Sequence, residues 1–99
     1  MRKGFDSRIQ NLSGDDLWKL LEQHEGETFY TAKNLPFTYR IRGGEMFVDR
    51  RSKSITRATF QKALERVQED PERVTGPKSL NVFGAPYVFA LLRGLAGEF

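Results

Sequence analysis

Two alternating runs, Phe37-Thr38-Tyr39-Arg40-Ile41-Arg42 and Glu45-Met46-Phe47-Val48-Asp49-Arg50, meet at Gly43-Gly44. Adjacent glycines suit a two-residue hairpin turn, because both can take positive φ without a Cβ clash. A turn at 43–44 sets Arg42 against Glu45, Ile41 against Met46, Arg40 against Phe47 and Tyr39 against Val48. Side chains alternate across a strand. One face is then Phe37, Tyr39, Ile41, Met46 and Val48, all apolar in character. The other is Thr38, Arg40, Arg42, Glu45, Phe47 and Asp49, mostly charged. A one-residue slip would mix the two sets, so the pattern specifies both register and one-sided burial. Arg42 with Glu45 reads as a cross-strand ion pair, and Arg40 can lie over the ring of Phe47.

A helix follows. With Thr56 as N-cap, Ile55 and Phe60 fall at the spacing of a hydrophobic staple. Phe60, Ala63, Leu64 and Val67 form an apolar stripe, and Arg57, Gln61, Lys62, Glu65 and Arg66 cover the remaining surface. The pattern predicts a helix over 56–68, stopping before Pro71 and packing its stripe on the hairpin's apolar face.

The rest of the chain is placed around this unit. Residues 1–12 show no period and read as a tail, leaving 13–99 as one domain. Ser13-Gly14-Asp15-Asp16 is a helix start, with a capping serine and two carboxylates at the positive end of the dipole. Leu17, Trp18, Leu20 and Leu21 carry that helix to about His24, with Gly26 as the stop. Residues 27–31 are β-prone, and Pro36 turns 32–36 into a connection. Residues 71–79, with two prolines and Gly76, read as a surface loop. Pro86 suits a first helical position, which predicts a short apolar helix over 86–93. That segment is either core or a surface offered to another protein or to a second copy, the last giving a homodimer through 82–92. The order α-β-β-β-α-α, with a three-stranded antiparallel sheet and helices on one face, defines an α+β two-layer fold.

Charge is unevenly spread. Of the net +3, residues 37–66 carry +5, while 1–36 and 67–99 each carry −1. Such an asymmetry bears on partners. No cysteine is present, so disulfides and thiolate metal sites are excluded. No apolar run approaches the roughly 20 residues of a membrane span. No apolar signal segment follows the basic N-terminus, and the expected location is cytoplasmic.

The basic loop and helix start at 50–57 are the first candidate site. Cations are unfavourable near a helix N-terminus, yet Arg50, Arg51, Lys53 and Arg57 gather there. Free backbone N–H groups and the hydroxyls of Ser54 and Thr56 (with Ser52) complete an anion-binding corner. A solvated loop that merely aids solubility fits the same residues. The second candidate is the polar sheet face, Thr38, Arg40, Arg42 and Phe47 with Tyr30, whose arginines and exposed aromatic suit a groove or a stacked base. A surface face held by its own cross-strand pairs fits the same residues. His24 is expected to favour its helix C-terminus. No metal, nucleophile or phosphate-loop motif is seen, so neither enzyme nor cofactor is expected.

The α-β-β-β-α order resembles that of double-stranded-RNA-binding domains, and the β-β-β-α part resembles DNA-binding sheets of the AP2 and integrase arm-binding type. In the first family a basic Ser-Lys-Lys stretch opens the last helix; Ser52-Lys53-Ser54 stands at the matching place. The chain departs from that family in its tightly joined hairpin and its lack of a Gly-Pro-His element. Leu35-Pro36-Phe37-Thr38-Tyr39, Met46-Phe47-Val48-Asp49-Arg50, Lys53-Ser54-Ile55-Thr56-Arg57 and Gly76-Pro77-Lys78 resemble segments of short bacterial and phage proteins, a resemblance that implies no activity.

Two functions follow as expectations. One is a non-enzymatic nucleic-acid-binding module, DNA before RNA, using Arg40, Arg42, Arg50, Arg51, Lys53, Ser54, Thr56 and Arg57. The other is a protein-interaction module, such as a phage-type inhibitor or adaptor, meeting an acidic partner.

Overall fold

The structure is a computed structural model that describes residues 5 and 7–99. Its hairpin has the register that the alternation requires. β3 (Tyr39–Arg42) and β4 (Glu45–Val48) pair antiparallel, with Tyr39 opposite Val48, Arg40 opposite Phe47, Ile41 opposite Met46 and Arg42 opposite Glu45. Gly43 alone of the two turn glycines takes a positive φ, 61°, as at the first position of a type II′ turn. Tyr39, Ile41, Met46 and Val48 are buried, and Arg40, Arg42, Glu45 and Phe47 are exposed.

The fold is α+β, and its three-stranded antiparallel sheet has the order β3-β4-β5. The third strand is not the 27–31 run. It is β5 (Ile55–Thr56), which pairs Ile55 with Met46 and Thr56 with Glu45. The 27–31 run supplies β1 (Phe29–Tyr30), which pairs instead with β2 (Pro36–Phe37) in a separate two-stranded sheet. Thr38 separates β2 from β3. Its N–H donates to Asp49 Oδ1 at 3.1 Å, and its carbonyl accepts from Asp49 N–H at 3.1 Å.

β5 runs directly into α2 (Arg57–Glu69). Thr56 therefore ends a strand and caps a helix, its Oγ1 accepting from Thr59 N–H at 3.3 Å. Caps of this kind stabilise by about 1 kcal/mol. Phe60, Ala63, Leu64 and Val67 are buried, as the stripe demands, and so is the staple residue Ile55. α1 (Gly14–Gln23) is capped by Ser13, which accepts from Asp16 N–H at 3.0 Å. It buries Leu17, Trp18 and Leu21, and Trp18 meets Phe60 edge-on at 5.8 Å, joining α1 to α2. The phenol of Tyr39 donates to Leu21 O at 2.6 Å within the core. That carbonyl lies in the last turn of α1, where no intrahelical N–H is available.

Two further expectations are corrected, and an open alternative is decided. The N-terminal stretch is no tail where it is described: residues 7–11 form a 3-10 helix, and Phe5 and Ile9 are buried. Gln68 Nε2 donates to Ile9 O at 2.8 Å and Leu12 O at 2.7 Å, and Phe5 N–H donates to Pro71 O at 2.7 Å. Residues 1–4 and 6 of the expected tail lie outside the described residues. The 71–79 loop buries Val74 and leads into α3 (Pro77–Leu80), whose Leu80 is fully buried. Finally, α4 (Ala85–Gly94) is core: Val88, Phe89, Ala90, Leu91 and Leu92 are buried within the single chain. Only Phe83 and Pro86 of the 82–92 segment are exposed, so little apolar surface is left there for a second copy.

The turn into α4 holds the unit together. Gly84 takes φ 69°, and a Cβ on it would stand 2.6 Å from Ile55 Cδ1. Only glycine lets α4 approach β5 this closely. The buried side chains lie on the inner side of the main sheet, and its outer side remains open to solvent. Among the described residues no helix is long and apolar enough to cross a membrane.

Candidate functional site

The residues expected to form one anion-binding corner at 50–57 do not all meet there. Arg57 turns to α1. Its guanidinium bonds the Asp15 carboxylate and stands over the Trp18 ring at 5.9 Å. Arg57 N–H donates to Gly44 O at 2.8 Å, and Thr59 N–H is taken by Thr56 Oγ1. Two of the donors that a helix start leaves free are thus already paired. Ser54 Oγ donates to Glu45 Oε1 at 2.5 Å, so both hydroxyls of the candidate set are engaged inside the chain.

The loop joining β4 to β5 lies away from Arg57, at the β2–β3 junction. Arg50 Nε donates to Pro36 O at 2.6 Å. This bond spends one of five guanidinium donors and leaves the terminal nitrogens free to meet an anion. Arg51 lies over the Phe83 ring, 4.6 Å from its centroid. Lys53 is exposed and forms no ion pair among the described residues. Two of the loop's cations, Arg50 and Arg51, are therefore held in place by contacts within the chain.

The outer face of β3-β4-β5 adjoins this loop. Its first cross-strand row is Arg40 and Phe47, and its second is Arg42, Glu45 and Thr56. The expected Arg42–Glu45 ion pair is replaced. Arg42 donates to Ile41 O at 3.1 Å and lies 3.7 Å from the Glu25 carboxylate, while Glu45 accepts from Ser54. Arg40 is not over Phe47 either. The cation–ring contacts of the described residues involve Arg51, Arg57 and Arg93. Arg40 is exposed without an intramolecular partner among the described residues, and Phe47 stays 44% exposed. Tyr30 is 57% exposed but belongs to the smaller β1–β2 sheet, opposite Pro36. Thr38 is half-buried, its backbone committed to Asp49.

Phe83 was not singled out from the sequence. Its only local signal is an aromatic placed just before Gly84 in a turn. His24 sits at the α1 C-cap as expected, and its ring gains two partners. Nδ1 is 2.9 Å from Glu27 Oε2 and Nε2 is 2.9 Å from Glu98 Oε2. The hydrogen bond to Glu27, then that to Glu98, raises its pKa above the ordinary histidine value. Burial pushes the Tyr39 phenol up, with the nearby Glu27 and Glu25 charges adding to it. Among the described residues no group of three His, Cys, Asp or Glu side chains is arranged to hold a metal ion.

No protein-family model, curated protein or solved structure matches this chain.

Proposed function

We propose that this protein is a small, non-enzymatic, cytoplasmic nucleic-acid-binding module. It engages its partner through the open face of β3-β4-β5 and the loop bordering it. One observation carries this reading: Arg40 and Phe47 stand opposed in register on a sheet face that no helix covers, the cation unpaired and the ring exposed. Arg42, Arg50, Arg51 and Lys53 extend positive charge around that pair, in the segment holding the chain's whole cationic excess. Phosphate contacts supply affinity that is independent of sequence. Arg57, which its sequence position sets among the phosphate ligands, takes no part, because Asp15 and Trp18 hold it on the α1 side.

The test is oligonucleotide binding followed against salt. Arg40→Ala and Lys53→Ala should each flatten the log–log salt slope by about 0.7 to 0.9, one phosphate contact. Arg57→Ala should leave it unchanged. Absence of binding to any oligonucleotide at about 50 mM salt, where phosphate contacts are strong, would move the reading to an acidic protein partner on the same face.

A further inference from the structure

We propose that the face is built for a single strand, with Phe47 as a platform on which one base stacks while Arg40 meets the adjoining phosphate. This rests on the nucleic-acid reading and deepens it. Three features of the face support it.

The ring is free. Each of the described arginine–aromatic contacts elsewhere places a guanidinium against the ring. Phe47 has none, although Arg40 is its direct cross-strand neighbour. An exposed phenyl with no cation on it can accept a base. A base within a duplex shows only its edge, whereas a single strand can present its ring face.

The charge is placed beside the ring rather than under it. Opposed residues on neighbouring strands have their Cβ atoms about 5 Å apart, the scale that separates a nucleobase from its own backbone phosphate. Arg40 and Phe47 can thus act on one nucleotide, each through a different group. Glu45, the acidic residue of this face, stands in the next cross-strand row, opposite Arg42, with its carboxylate bonded to Ser54.

The face also presents no helix to a duplex groove. The one long helix near the basic loop, α2, turns its stripe inward on the core, and its first residue is tied to α1. What remains is a short sheet surface, suited to an extended strand.

The experiment measures anisotropy of labelled oligonucleotides of about 12 nucleotides, within the site sizes of small single-strand binders. Three forms are compared: a mixed-sequence single strand, its duplex, and an abasic strand of equal length. The single strand should bind more tightly than either. Phe47→Ala should weaken it about 5- to 150-fold, the worth of one base–aromatic stack, while leaving the abasic strand's affinity unchanged. Phe47→Leu gives the same readout if the alanine variant fails to fold. Phe47→Trp should retain binding and show quenched fluorescence with the single strand only. Equal affinity for the duplex or the abasic strand, or indifference to Phe47 replacement, overturns the stacking inference and leaves the phosphate reading standing. Binding to none of the three overturns both.

Discussion

Removing the hydroxyl of Tyr39 isolates one link between hairpin and helix. Tyr39 is 1% exposed, and its phenol donates to Leu21 O at 2.6 Å. The neighbouring α1 carbonyls are served by the cap, since His24 N–H reaches Leu20 O and Glu25 N–H reaches Glu22 O. Leu21 O depends on the phenol. Tyr39→Phe keeps the ring and its packing against Phe29 at 6.0 Å, and leaves a buried carbonyl without a donor. An unsatisfied buried group costs about 1–3 kcal/mol, and a carbonyl belongs at the lower end of that range. For a domain of this size 1 kcal/mol moves the melting temperature by about 4–8 °C. A loss of about 1–2 kcal/mol should therefore lower Tm by about 4–16 °C in a circular-dichroism melt. A Tm within about 2 °C of the parent would refute the reasoning, because it would mean that Leu21 O finds another donor without cost.

Two further outcomes follow from the same geometry. His24 has its pKa raised by Glu27 and Glu98, so its contribution to stability is fully present below its unfolded pKa of about 6.5 and is lost as pH rises through the higher folded value. Titration of this single histidine by NMR should show a midpoint above 6.5, and Glu27→Gln should lower it more than Glu98→Gln, Glu27 being the larger cause; a midpoint at or below 6.5 contradicts the clamp. Val88→Asp and Leu92→Asp place a charge at sites 0% exposed and should abolish cooperative unfolding; a folded monomer released from a sedimenting dimer would show instead that α4 is an interface.

The hairpin was legible because its information is local. Alternation fixes the inward set, and the glycine pair fixes the turn, so Arg40 and Phe47 could be placed on the outer face without tertiary knowledge. The Thr56 cap and the Phe60-Ala63-Leu64-Val67 stripe were readable for the same reason. β5 was not: two residues give no alternation, and Ile55 also satisfied the staple pattern. The 27–31 run has strand propensity, but nothing in it distinguishes pairing with Pro36–Phe37 from pairing with the main sheet. The N-terminal 3-10 helix buries Ile9, with no apolar period around it to read, and its attachment comes from Gln68, far along the chain. At the site, cationic character was visible, but the choice of partner was not. Arg57 could face a phosphate or Asp15, and only the packing of α1 against α2 decides that. Arg51 could stand in solvent until the turn before α4 brings Phe83 beneath it.

The most direct measurement of the central claim is amide and side-chain shift mapping by NMR, as a single-stranded oligonucleotide is added to the isotope-labelled protein. Perturbations should concentrate on the outward residues Arg40, Arg42, Phe47 and Thr56 and on the 49–54 loop, with the Phe47 ring resonances shifted upfield by a stacked base. The Arg57 side chain and the β1–α4 groove lined by Tyr30, Phe89 and Arg93 should remain unchanged. Shifts confined to that groove, or to the α1–α2 side around Arg57, would contradict the assignment of function to the open sheet face.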